Sequence, residues 1–92
     1  MRKVLILNSA DNIAVCLADL AIGDVISQND ISITVGSKIP RGHKIATKLI
    51  SKDDGIIKYG ERMGHATADI KVGEHVHTHN VLGDRLSSEQ VK

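Results

Sequence analysis

Short runs of branched aliphatic residues alternate with clusters of polar, turn-forming residues along the whole chain. The polar clusters recur about every 8–12 residues, which is the spacing typical of an all-β domain. The alternation is strict in residues 31–35, whose odd-numbered isoleucines and valine should face a core while the serine and threonine face solvent. The pattern predicts strands over residues 3–7, 13–17, 25–27, 31–35, 56–59 and 75–81.

The remaining segments are less regular. Residues 43–50 fit one helical turn as well as a strand, and a short helix could form only in residues 62–69 or in the tail from residue 84. The segment from Ile39 to Gly42 has the composition of a turn, with proline at the second position and glycine at the fourth. No linker divides the chain, so we expect one domain over residues 1–83 and a polar tail over residues 84–92.

One pattern occurs more than once. Residues 18–26 match residues 68–76 at most positions, and residues 50–56 form a weaker copy. Each copy has an apolar residue, a tight turn, an acidic residue and then a strand. The turns contain Gly23, Gly73 or Asp53, and these residue types tolerate a positive φ. We therefore expect one type of turn to be reused at several corners of a compact β structure.

Composition narrows the choice of fold and function. Isoleucine and valine make up twenty of the 92 residues and favour strands. The net charge is +1 and Tyr59 is the only aromatic residue, so neither nucleic acid nor an anionic membrane is an expected partner. Cys16 is the only cysteine and no apolar run suits a signal or spanning segment, so we expect a cytoplasmic location.

Histidine is the residue type that points to chemistry. His75, His77 and His79 occur at every second position and would share one face of a strand. Neighbours in this row would lie about 6.6 Å apart on a regular strand, and the outer two about 13 Å apart. Because a metal–nitrogen bond is about 2.0–2.1 Å long, only two adjacent histidines of the row could then bind the same metal ion. We expect that pair to be His77 and His79, with further ligands from His43, from an acidic residue or from another chain.

Other interpretations of the row remain open. It could hydrogen-bond an oxygen-rich substrate or a partner surface, or it could be an ordinary exposed strand face. His43 directly follows the Pro40–Gly42 turn, and Lys44, Lys58 and Tyr59 add two cations and a phenol to the polar groups available for binding.

Four segments in this order resemble the amino-terminal SAF-type domain of altronate and galactarate dehydratases. They contain the motifs Gly42-His43-Lys44, Lys58-Tyr59-Gly60, Gly64-His65-Ala66 and Gly73-Glu74-His75-Val76-His77. Residues 12–20 are similar to the start of altronate dehydratases in particular. The resemblance extends over nearly the whole chain to Asn80, and the main departure is Asp53, which stands where the family usually has a turn glycine.

The resemblance implies a β-clip fold and a small subunit or separate amino-terminal domain of a sugar-acid hydro-lyase. Such a module would supply part of the active-site wall to a larger catalytic subunit and would be inactive alone. A divalent metal, iron or manganese, is the implied cofactor. The expected catalytic residues are His43, His75 and His77, and the expected substrate-binding residues are Lys44, Lys58, Tyr59 and Asn80.

Two alternatives stand beside this interpretation. A related small subunit serves (2R)-sulfolactate sulfo-lyase, which eliminates sulfite instead of water. SAF-type domains also occur as non-catalytic binding or assembly modules. The three-histidine row favours an enzyme, because a purely structural adaptor would not need it.

Overall fold

The computed structural model describes residues 3–6, 8–28 and 31–83, which form nine short strands. These described residues contain no helix, so none of them forms a helix that could cross a membrane. The strands are β1 (Val4–Leu5), β2 (Ile13–Cys16), β3 (Val25–Gln28), β4 (Ile31–Thr34), β5 (Lys44–Ala46), β6 (Gly55–Lys58), β7 (Glu61–Ala66), β8 (His75–Val76) and β9 (Val81–Leu82). The predicted all-β fold is confirmed.

A four-stranded antiparallel sheet, in the order β1-β2-β5-β8, lies between two hydrophobic cores. Side chains alternate across its central strands. Ala14 and its cross-strand neighbour Ile45 belong to the first core, whereas Ile13 and its neighbour Ala46 belong to the second. The β3–β4 hairpin adds residues to the first core, and the sheet β6-β7-β9 adds residues to the second. The period of two therefore makes both faces of one sheet apolar.

The prediction that one type of turn is reused is confirmed. Each copy contains a turn of four residues. The fourth residue of the turn donates its N–H to the carbonyl of the first, and its side-chain carboxylate accepts the N–H of the first. Asp24 does this with Ala21, Asp54 with Ser51 and Glu74 with Lys71, at 2.7–3.2 Å. The third residue of each turn has a positive φ, which is 93° at Gly23, 75° at Asp53 and 91° at Gly73.

Isolated bridges join the repeated segments in pairs. Leu20 bridges to Ile39 beside the first core, and Ile50 bridges to Ile70 beside the second. An aspartate near each bridge accepts a backbone N–H from the opposite segment. Asp19 accepts from Arg41 and Asp69 accepts from Lys52, each at 2.8 Å. The two halves of the domain thus share one local architecture, which explains why the sequence pattern recurs.

Several sequence predictions were wrong in detail. The strand expected over residues 75–81 ends at Val76, and residues 77–80 form a turn before β9. Residues 62–69 hold most of strand β7 instead of a helix, because Gly64 and Ala66 are buried between neighbouring elements. The ambiguous residues 43–50 contain strand β5. Asn29, Asp30 and the tail over residues 84–92 lie outside the described residues.

The turn near Pro40 also differs from the prediction by one position. His43 donates its N–H to the Pro40 carbonyl at 3.1 Å, so proline is the first residue of the turn. Gly42 is the third residue, with a φ of 88°, where a turn with this conformation needs glycine.

Replacing Gly73 with alanine should destabilise the domain more than replacing Gly23. Both positions have a φ near 90°, which costs an alanine about 1–2 kcal/mol. A Cβ at Gly73 would also overlap the backbone carbonyl of Thr34, whereas a Cβ at Gly23 meets no atom within 4 Å. We expect a loss of about 1 kcal/mol for Gly23→Ala and of at least about 3 kcal/mol for Gly73→Ala, measured by urea unfolding. Equal losses of stability in the two variants would contradict the expected overlap between a Cβ at Gly73 and the Thr34 carbonyl.

Candidate functional site

The pairing of β5 with β8 brings three histidines together. Ile45 lies opposite His75, so extending the antiparallel register past Lys44 puts His43 opposite His77. The His43 and His77 rings stack with their centroids 4.0 Å apart, and the His43 and His75 ring centroids are 5.0 Å apart. His43 therefore lies beside the row, as predicted, although it is 32 residues from His75.

The three imidazoles are close enough to act as one group. His43 Nδ1 lies 2.9 Å from His75 Nε2, so one of these nitrogens donates a hydrogen bond to the other. One ligand atom from each of His43, His75 and His77 lies within 4.8 Å of the other two. Two nitrogens bound to one ion at about 2.1 Å lie about 3 Å apart, so small rotations of the rings would suit a shared metal ion. The donor set fits a divalent transition metal.

Desolvation and mutual repulsion favour the neutral form of two histidines of the cluster, His75 and His77. Desolvation lowers the pKa of His75 below its ordinary value of 6.5, and the three neighbouring histidines lower it further. Desolvation also lowers the pKa of His77, with contributions from His43, Lys44 and His79. Since a neutral imidazole keeps one lone pair, the lowered pKa values favour metal binding or proton acceptance at neutral pH.

His43 occupies a special place in the repeated turn. It is the fourth residue of the turn that begins at Pro40, where the other copies have Asp24, Asp54 or Glu74. In those copies the carboxylate accepts the N–H of the first residue. Pro40 has no N–H, so its turn needs no carboxylate. The proline thus frees the fourth position for an imidazole that joins the cluster.

Asn80 shapes the loop that carries His77. Its side-chain oxygen accepts the His77 N–H, and its side-chain nitrogen donates to the His75 carbonyl, both at 2.9 Å. The Asn80 N–H in turn donates to the His77 carbonyl at 3.1 Å. These bonds end the strand at Val76, so the geometric reason for pairing His77 with His79 fails. The His75 and His79 ring centroids are 5.1 Å apart, far less than a regular strand would allow. Binding of substrate by Asn80 stays a prediction, but its amide is already occupied.

A groove of about 500 Å³ opens beside His77. Its polar side chains include those of Lys44, Lys58, His77 and Thr78. Two of the predicted substrate-binding residues, Lys44 and Lys58, therefore share a cavity with His77 of the cluster. Tyr59 does not line this groove. It lies at the tip of the β6–β7 hairpin, with the Lys58 ammonium 4.7 Å from its ring centroid, and its contact with substrate stays a prediction.

Sequence reasoning missed two residues of this region. Ser37 Oγ accepts the N–H of His75 at 3.4 Å and so supports the start of β8. Met63 lines the groove although it is 53% exposed. A lone serine and a lone methionine carry no spacing signal, and only the strand pairing brings them to the site.

Comparison with known proteins agrees with this arrangement. Residues 2–84 match the model of a family described as the altronate/galactarate dehydratase SAF domain. The chain belongs to this family. The matched residues cover all of the described structure and include the three clustered histidines.

The relatives of this SAF domain fall into two groups. The chain is 46% identical over 86 residues to an altronate dehydratase of Escherichia coli and 41% identical over 80 residues to one of Bacillus subtilis. These matches cover 94% and 87% of this chain but only 17% and 16% of those proteins. It is also 47% identical over 57 residues to a (2R)-sulfolactate sulfo-lyase subunit alpha of Paracoccus pantotrophus, covering 61% of this chain and 85% of that subunit.

The relation between Pro40 and His43 can be tested by a double-mutant cycle. In a Pro40→Ala background, His43→Asp should supply a carboxylate for the new N–H, as in the other three turns. We expect the two substitutions together to be about 1 kcal/mol more stable than the sum of their separate effects. Urea unfolding of the four proteins measures this coupling. Additive effects would show that the proline and the histidine are independent.

Proposed function

We propose that this SAF domain forms part of the active site of a sugar-acid hydro-lyase of the altronate dehydratase type. Three half-buried imidazoles within 4.8 Å of one another carry this proposal, because such a group has little value for packing. A groove with two lysines beside the cluster supports it further. The chain spans about one sixth of the altronate dehydratases that it matches, so a larger catalytic part would complete the site.

The reaction class explains why these residue types gather here. Dehydration of a hydroxy acid removes a proton from the carbon next to the carboxylate, and the hydroxyl group on the neighbouring carbon leaves as water. A neutral imidazole of the cluster can accept the first proton. The imidazolium that this forms can then donate a proton to the leaving hydroxyl, which departs as water. Lys44 and Lys58 can pair with the substrate carboxylate, on which negative charge increases as the proton leaves.

The donor distances support His43, His75 and His77 as ligands of a divalent metal. The family resemblance implies that this metal is iron or manganese. Removal of the proton next to the carboxylate produces an enediolate anion. A bound ion would supply positive charge beside this anion. An open set of three imidazoles leaves positions for substrate and for groups from the larger part.

The buried free thiol of Cys16, whose pKa desolvation raises to about 11, is compatible with the cytoplasmic location that we propose.

A second candidate is the small subunit of a (2R)-sulfolactate sulfo-lyase. The match favours it, because it covers 85% of that sulfo-lyase subunit alpha. Both substrates carry a carboxylate, and both eliminations begin by removing a proton. The same imidazoles and lysines would serve either reaction, so the leaving group decides between the two candidates.

The isolated chain should show no turnover, whereas its assembly with the larger catalytic part should dehydrate a sugar acid. A panel containing altronate, galactarate and (2R)-sulfolactate identifies the substrate by product formation. In the assembled enzyme, His77→Ala should lower kcat by about 10²–10⁴-fold without preventing assembly. Lys52→Ala, in an exposed turn, is the matched control and should leave kcat unchanged. Robust turnover by the chain alone, or full activity of His77→Ala, would refute the proposal.

Metal binding by the isolated chain tests the ligand set separately from activity. Calorimetric titration with Mn²⁺ should show weak binding that each of His43→Ala, His75→Ala and His77→Ala lowers at least about tenfold. Electron paramagnetic resonance of bound Mn²⁺ should detect nitrogen couplings from imidazole. His79→Ala should have a much smaller effect. If His79→Ala matches His77→Ala while His43→Ala has no effect, the ligand pair predicted from the sequence is the better assignment.

A further inference from the structure

The sheet β6-β7-β9 presents apolar side chains that the described part of the chain leaves uncovered. Tyr59 is 48% exposed, Met63 is 53% exposed and Leu82 is 38% exposed. Tyr59 follows β6, Met63 belongs to β7 and Leu82 belongs to β9, so all three lie on or beside one sheet. Met63 and Leu82 also line the same groove, and Tyr59 lies at the tip of the β6–β7 hairpin. Exposed apolar groups on one sheet are typical of a binding site.

Tyr59 is held in a conformation that an aromatic residue rarely adopts. It has a φ of 57° and is followed by Gly60 with a φ of 76°, so both central residues of the hairpin turn have positive φ. Asparagine followed by glycine is the favoured pair for such a turn. Tyr59 is the only aromatic residue of the chain, and about half of its surface is exposed in spite of this unfavourable backbone. Strain at an exposed tyrosine fits a contact with another protein surface.

The apolar part of the groove beside this sheet is better suited to protein side chains than to a polyol. The apolar part of its lining comprises Ile13, Ile56, Met63, Val76, Val81 and Leu82. A sugar acid buried there would leave most of its hydroxyl groups without hydrogen-bond partners, which is costly. Apolar side chains would instead gain from contact with these residues. Lys44 and Lys58 also line the groove, and the proposed function assigns them to the substrate carboxylate, so the docked segment covers only the apolar part.

We propose that Tyr59, Met63, Leu82 and the adjoining groove form a docking surface for the larger catalytic part of the lyase. This inference rests on the proposed function. The occupant is an apolar segment of that larger part, and docking there brings the larger part against His77, which lines the same groove. The altronate dehydratases that the chain matches are about six times its length, which provides the surface to be docked.

Three substitutions test the docking surface in the assembly of this chain with the larger catalytic part of the lyase. Tyr59→Asn, Met63→Ser and Leu82→Ser should each weaken assembly at least about tenfold. Tyr59→Asn should also raise the melting temperature of the isolated chain, because it relieves the backbone strain. In the assembled enzyme, hydrogen exchange of β7 and β9 should slow relative to the isolated chain, whether the large part is a separate subunit or a continuation of the same chain.

Ile22→Ser and Leu49→Ser are matched controls, because these side chains are 72% and 67% exposed and lie away from the groove lining. They should leave assembly unchanged. Unchanged assembly in all three surface variants, or weaker assembly in the controls, would overturn the inference. Loss of self-association by the surface variants would overturn it in favour of a second copy of this chain.

If docking depends on the surface but the complex has no lyase activity, only the proposed function fails. If an active complex ignores these substitutions, only the docking surface fails.

Discussion

The antiparallel pairing of β5 with β8 is the contact on which both the packing and the site depend. One face of this pair contributes Ala46 and Val76 to the second core. The other face carries Ile45 in the first core and, beyond it, the clustered histidines. A slip of one residue would exchange the two faces, burying imidazoles and exposing aliphatic groups. Burial of the cores therefore also determines which side chains meet at the candidate site.

The repeated turn shows how a structural device can release a position for function. Three copies bind their own first N–H with a carboxylate, and this bond helps each corner to form. The copy that begins at Pro40 has no such N–H, and there the corresponding residue is His43. One substitution at the start of the turn thus removes the need for a carboxylate at its end. The site uses a corner of the fold that its neighbours use only for stability.

The shape of the domain is consistent with a partial active site. The histidines are half-buried at one end of the central sheet, and the neighbouring groove is open to solvent. Desolvation and nearby groups that would be cationic lower the pKa of His75 and His77, which favours their neutral form. A surface of this kind can bind a metal or exchange protons, but it needs further walls to exclude water from a substrate. The apolar sheet beside it offers a place where such walls could attach.

The sequence by itself determined the all-β class, the reuse of one turn and the family resemblance. These features depend on local chemistry, namely alternation along a strand, residues that tolerate a positive φ, and motifs of a few residues. The sequence also predicted His43, His75, His77, Lys44 and Lys58 as site residues, from the spacing of the histidines and from the motifs that carry the family resemblance. Local alternation could not reveal where the strand that begins at His75 ends. The hydrogen bonds of Asn80 stop this strand after Val76.

Only the tertiary structure decided which histidines meet. The distance from His43 to His75 along the chain is 32 residues, and their contact follows from the register of two strands that no local pattern specifies. The same holds for the groove, whose lining comes from residues between Ile13 and Gly83. Strand register is set by the burial of two whole cores, so the geometry of the candidate site is a property of the folded chain.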